Sequence, residues 1–134
     1  MRYLICIFCG FALFVACGGG KSEITSSEWK LVSVVSGNDL LTTENVKKQS
    51  TLKIEANGSV HGQGGCNTFL GVAVISGTTI QFDKIVVTQM ACFDMKIETA
   101  FLDALKDSNS FVVESGNLKL KKDGKVIATF SAIE

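Results

Sequence analysis

The feature that most limits the fold is a change of hydrophobic period near residue 94. Before and after it, apolar and polar residues alternate at a spacing of two, as in half-buried strands. "TLKIEA" sets Leu52, Ile54 and Ala56 on one face and Lys53 and Glu55 on the other. Asn57-Gly58 then supplies a hairpin signal, and "SVHGQ" returns. "WKLVSVV" precedes these runs, and Asn38 to Gln49 reads as a polar connection with at most one helical turn. "FLGVAVI" and "TIQFDKIVV" meet across Ser76-Gly77-Thr78. "FVVE", "LKLKK" and "KVIATFSAI" close the chain, with turns at Ser115-Gly116-Asn117 and Asp123-Gly124. Between Asp94 and Asp107, however, Ile97, Ala100, Phe101, Ala104 and Leu105 recur at helical spacing, with Glu98, Asp103 and Lys106 off the stripe. One helix with one apolar face must cover a sheet or plug the end of a curled one. The pattern predicts an α+β domain: a small, strongly bent antiparallel sheet or partial β-barrel of about eight strands, with one amphipathic helix packed on it.

The first residues follow a different logic. Met1-Arg2 is a short positive segment, and Tyr3 to Ala16 is a nearly unbroken apolar run, too short to cross a bilayer as a helix. That combination fits a secretory signal. Ala16 directly before Cys17 makes the junction a lipobox candidate, with Phe14 where leucine is usual. The expected organisation is a lipoprotein signal peptide over 1–16, a lipidated tether over 17–23 and one domain over 24–134. Cys17 would carry the lipid, and Gly18 to Ser22 would act as a flexible link. The expected address is the bacterial cell envelope, and the lack of aspartate after Cys17 favours the outer membrane.

Composition then removes whole classes of partner. Arg2 is the only arginine and Tyr3 the only tyrosine, so neither occurs from Cys17 onward. Twelve lysines face thirteen carboxylates there. Nucleic-acid binding calls for a basic stripe, usually with arginine forks, so no nucleic-acid partner is expected. Trp29 alone remains for a sugar platform.

The stretch "HGQGGCNTFLG", residues 61 to 71, is the densest in unusual residues. A phosphate cradle needs strand, turn and helix in succession, whereas these glycines fall between two predicted strands. His61, Cys66 and Cys92 could offer three metal ligands, but the spacing matches no strong zinc pattern, and residues 61 and 66 point to opposite faces of a regular strand. The same three residues are the only conventional basis for thiol catalysis. Asp94 and Glu98, one helical turn apart, read as a dipole partner and a solvated face. No catalytic residue, metal or cofactor is therefore assigned. In an exported chain with Cys6 and Cys9 removed and Cys17 lipidated, Cys66 and Cys92 are left as a disulfide pair. Glycines at 62, 64, 65 and 71 would let the strand bend or be approached closely, and the Asn67 amide would satisfy backbone groups freed by the bend.

"GGCNTFLG" (Gly64 to Gly71), then "TQMAC" (Thr88 to Cys92), a helix with Glu98, and "FLDAL" (Phe101 to Leu105) together resemble the META domain. That family includes the HslJ-like heat-shock lipoproteins. "EWKLVSV" and the final "KVIATF" fit the same layout, which covers roughly residues 24 to 133. Gln89 and Phe93 depart from it, standing where arginine and proline are frequent. The resemblance implies that Gly65, Cys66, Asn67, Gly71, Met90 and Cys92 are framework. It also implies a small envelope protein linked to stress tolerance, secretion or motility, without established enzymatic activity. The expected function is thus a membrane-anchored, non-enzymatic lipoprotein that binds an envelope protein or an apolar ligand. One rival is a pilotin-like escort, for which a cavity lined by Leu52, Ile54, Val74, Phe82 and Phe101 would take a lipid or a partner segment. The other is a thiol or metal enzyme built on Cys66, Cys92 and His61.

Overall fold

The computed structural model describes residues 20–133; Cys17 and the apolar segment before it lie outside them. In chain order the elements are α1 (Lys21–Ser26), β1 (Glu28–Ser36), β2 (Asp39–Thr42), β3 (Thr51–Ile54), β4 (Ser59–Gln63), β5 (Thr68–Ser76) and β6 (Thr79–Val87). They continue with α2 (Lys96–Asp107), β7 (Ser110–Glu114), β8 (Asn117–Lys122) and β9 (Lys125–Ile133). The described residues form nine antiparallel strands and two helices, so the α+β reading holds.

All nine strands belong to one sheet that bends into a ring. The order is β2-β1-β3-β4-β5-β6-β7-β8-β9, and β1 also pairs with β9. The two seams of the ring differ. β1 and β9 are in register from Glu28↔Ile133 to Val34↔Ala128. β6 and β7 share only the pair Thr79↔Ser110, supported by backbone bonds from Ile80 to Asn109 and from Phe111 to Thr78. The sheet is ring-like without being a fully laddered barrel.

Side-chain parity fixes which face looks inward. In β1, Trp29 and Leu31 are buried, the register shifts between Leu31 and Ser33, and Val34 is buried next. One extra residue at Val32 thus keeps the apolar set inside, as a bulge does. Two-residue turns at Ser115-Gly116 and Asp123-Gly124 have positive φ at both positions, which suits tight hairpins between twisted strands. Inside the ring, Phe101 of α2 stacks edge-on between Phe69 of β5 and Phe130 of β9, with ring centroids 5.5 and 5.7 Å apart. Such pairs add about 0.5–1.5 kcal/mol each beyond area burial. Ala100, Ala104 and Leu105 are buried with Phe101, as the helical stripe predicted.

Three expectations need correction. Asn38 to Gln49 is not a plain connection: Asp39–Thr42 forms β2, paired only with β1. The strand was hidden because neither face is deeply buried, so it carries no alternation. Lys21 to Glu23, read as part of a flexible tether, form the first turn of α1. That helix is held by Ile24, which is fully buried and whose carbonyl accepts the Trp29 indole N–H at 2.8 Å. Third, Val74 was placed with interior residues, yet it is 62 % exposed on the outer face of β5. Both faces of β5 are apolar (Phe69, Ala73 and Ile75 inward, Leu70, Val72 and Val74 outward), so hydropathy alone does not give its parity.

Candidate functional site

The unusual residues converge at the end of the ring where α2 begins. Glu98, in the first turn of α2, is only 4 % exposed. Its Oε1 accepts the backbone N–H of Cys66 at 3.1 Å and that of Asn67 at 2.6 Å. Its Oε2 accepts the Asn67 side-chain amide at 2.9 Å. This overturns the reading of Glu98 as part of a solvated face. The helix does not lie flat on the sheet; its first turn meets strand ends, where exposed peptide groups need partners, so burial there selects for a carboxylate.

Asn67, 3 % exposed, is the hub. Its Oδ1 accepts the Met90 backbone N–H at 2.7 Å and the Thr88 hydroxyl at 2.9 Å. Its Nδ2 donates to the Met90 carbonyl at 3.2 Å as well as to Glu98. Two donated and two accepted bonds use the full capacity of an amide side chain. One residue therefore ties the glycine stretch, the segment 88–95 and α2 together. The sequence reading of Asn67 as a satisfier of freed backbone groups is what the geometry displays, with Glu98 as the partner it did not foresee.

The glycines now have separate reasons. A Cβ on Gly64 would overlap the Glu98 carboxylate, so only glycine lets that side chain seat. Gly65 has φ +122°, a backbone region that favours glycine. Gly71 stands opposite a bulge in β6, where Leu70 pairs with Val86 and Val72 with Asp83, and Ile85 folds over the space a side chain would fill. Ser50, inconspicuous in sequence, is buried and donates its hydroxyl to the Gly64 carbonyl at 2.9 Å.

Cys66 and Cys92 are joined as a disulfide, with Cα atoms 6.0 Å apart. Cys66 is buried and Cys92 exposed. The segment between β6 and α2 has no regular structure, yet Thr88 and Met90 are held by Asn67, Cys92 by Cys66, and Asp94 bonds the Lys96 N–H at 3.0 Å. Met90 takes part through its backbone; its side chain is exposed, as is that of Phe93.

His61 stands apart from this cluster. It lies on the outer face of β4, exposed, with Nε2 3.2 Å from Glu55 Oε1. The structure does not assemble His61 with Cys66 and Cys92, and among the described residues no group of three or more His, Cys, Asp or Glu side chains could hold a metal ion. Two open clefts flank Glu98. The one beside the disulfide, about 500 Å³, runs from Val46 and Lys47 to Ile97. The other, about 460 Å³, lies between Val87 to Ala91 and the outer side of α2.

The META domain profile matches residues 22–134, nearly all of the described chain. The chain belongs to the META domain family. Solved structures share the fold at low identity. An NMR structure of a protein from Burkholderia xenovorans superposes with a TM-score of 0.70 at 20% identity, covering 84% of this chain and 86% of that one. A crystal structure of a DUF4847 family protein from Bacteroides vulgatus gives 0.59 at 16% identity, covering 83% and 95%. At these identities the likeness shows the fold alone. No curated protein sequence matches the chain. The META family is not known for an enzymatic activity.

Proposed function

We propose that the protein is a lipid-anchored lipoprotein of the bacterial outer membrane, where its META domain acts by binding in a stress-tolerance role. The observation that carries this reading is the saturation of the site. Glu98 is spent on three N–H donors, Asn67 on four bonds, and both cysteines on each other. Catalysis needs a group with unspent bonding capacity beside a substrate, and this arrangement instead immobilises a segment. What it holds in place is the exposed surface of 88–95, with Met90 and Phe93 outward. A rigid, exposed apolar segment favours binding because little ordering entropy remains to be lost.

The reading supports a membrane through Cys17 and an envelope protein or apolar ligand as partners, with no nucleic acid. Among the described residues no helix is long and apolar enough to cross a membrane; the proposed attachment is through the lipid on Cys17. The pilotin-like alternative needed an internal cavity. Leu52, Ile54, Phe82 and Phe101 are instead packed in the core, and Val74 faces out. Cell fractionation tests the anchor: Cys17→Ser is expected to move the protein from membrane to soluble fractions. Retention of the variant in the membrane would overturn lipidation as the means of attachment.

A further inference from the structure

We propose that the open edge of β2 binds an extended, basic segment of a partner protein, which adds to the sheet as a further strand. This rests on the reading that the domain acts by binding, and names the place and the kind of partner. β2 is hydrogen-bonded to β1 alone and stands at the end of the strand order. Its register shows which of its peptide groups are spent. Thr43 donates its N–H to the Val32 carbonyl, and the ladder continues in steps of two through Val34↔Leu41 and Ser36↔Asp39. Bonded and non-bonded pairs alternate between antiparallel strands, so Asp39, Leu41 and Thr43 face β1. The N–H and C=O groups of Leu40 and Thr42 therefore point out along the open edge, and no described residue bonds them. Both residues are exposed, Leu40 at 64 %.

Sheet edges are commonly blunted by lysine, proline, a bulge or a covering helix. The gap between β6 and β7 is defended in this way: Lys84 stands at φ 53° beside the β5–β6 bulge, and α2 packs against β6. β2 is limited only by its short length. Its pairing with β1 runs without a register shift, the chain has no proline, and its one charge, Asp39, is its first residue. Leu41 packs on the core and Val34 is buried, so their neighbours Leu40 and Val35 lie together on the outer face. They form an apolar seat for the side chain that an added strand would set opposite Leu40.

The edge selects its occupant. Two unspent donors and two unspent acceptors, repeated at a spacing of two residues, match the main chain of an extended peptide. A second copy pairing through β2 would engage four residues a side, against roughly 20–30 in a stable complex. Charge sets the composition. Ser36, the pair of Asp39, lines a surface cleft with Phe93, Asp94, Lys96 and Asp103. Three exposed carboxylates (Asp39, Asp94 and Asp103) thus stand against one ammonium, and none of the four forms an ion pair among the described residues. The loop after Thr42 has the opposite excess, Lys47 and Lys48 against Glu44. A lysine or arginine on the incoming segment therefore belongs at the Asp39 end, where the edge is continuous with the exposed Phe93 surface.

The test uses the full-length lipidated protein, isotopically labelled, in detergent micelles. The probe is a synthetic peptide of alternating valine and threonine with lysine at one end, made in both orders. Binding is expected to move the amide-proton resonances of Leu40 and Thr42 downfield, as new hydrogen bonds do. Asp39 and Leu41, already bonded to β1, should stay near their free positions. The same peptide N-methylated throughout should not bind, because its side chains are kept and its donors are lost. Leu40→Lys should weaken binding about tenfold by setting a charge on the edge. Asp39→Asn should weaken it about threefold, as a surface ion pair does; the thermal midpoint of both variants should be unchanged. Absence of shifts at Leu40 and Thr42, binding of the N-methylated peptide, or full affinity in Leu40→Lys would overturn the proposal. Shifts at Leu40 and Thr42 that grow with protein concentration in the absence of peptide would overturn it in favour of a second copy. Photocrosslinking in the envelope separates the edge from the reading beneath it. Crosslinks to protein from a benzophenone side chain at Phe93 but not at Leu40 would defeat the edge alone, and crosslinks from neither position would defeat both.

Discussion

The two ends of the ring are closed by opposite chemistry. At one end α1 inserts Ile24 beside Trp29, and a single indole N–H bond to the Ile24 carbonyl is the main polar link, with Lys53 reaching the Thr25 carbonyl at 2.9 Å. At the other end α2 is seated by a buried carboxylate, a saturated amide and a disulfide. β1 runs from the first end to the second: Glu28 follows α1, and Ser36 shares a surface cleft with Phe93 and the start of α2. The apolar closure tolerates small rearrangement, because dispersion and burial are non-directional. The polar closure does not, since each bond has one geometry and an unmade one is costly when buried. The polar end fixes position, and the segment it fixes is the exposed one.

That contrast can be tested by substitution. Glu98→Ala leaves three buried N–H donors without an acceptor and is expected to lower unfolding free energy by about 3–5 kcal/mol, from unsatisfied buried donors that cost about 1–3 kcal/mol each; urea denaturation measures it. A loss under about 1 kcal/mol would mean the polar end is ornamental to stability. Replacing Cys66 and Cys92 together by alanine is expected to cost about 2–4 kcal/mol under oxidising conditions, and nothing in excess reductant, where the wild type loses the same bond. Gly64→Ala forces a methyl into the Glu98 carboxylate and should cost about 1–3 kcal/mol. Proton-exchange protection at the Cys66 and Asn67 amides would fall with it, which separates a displaced carboxylate from general loosening. At the apolar end, Trp29→Phe keeps most of the burial and removes the indole bond, so about 1 kcal/mol is expected. If Trp29→Phe proved costlier than Glu98→Ala, the contrast between the ends would be reversed.

Legibility followed the same division. Most strands and α2 were readable because one face is apolar and the other polar, β2 and the parity of β5 being the exceptions, and turns such as Asn57-Gly58 and Asp123-Gly124 carry their own chemistry. The bend at Gly64-Gly65 and the role of the Asn67 amide were readable because glycines and an amide make little sense otherwise in a strand. Glu98 was not. Helical periodicity sorts residues by apolar face, and a carboxylate off the stripe is indistinguishable from a solvated one until the partner segments are placed. Ser50 was invisible for the same reason, a small hydroxyl whose acceptor is 14 residues away. His61 does lie apart from Cys66, but not through the parity of one strand, since β4 ends at Gln63 and Cys66 falls in the bend that follows.

The pairing of β1 with β9 also sets an order of events. The first strand holds one edge open until the last strand exists, some hundred residues later in the chain. Loop-closure entropy makes such a contact late and slow to form. Under the proposed export, a chain threaded N-terminus first cannot complete its ring before its last strand has cleared the passage.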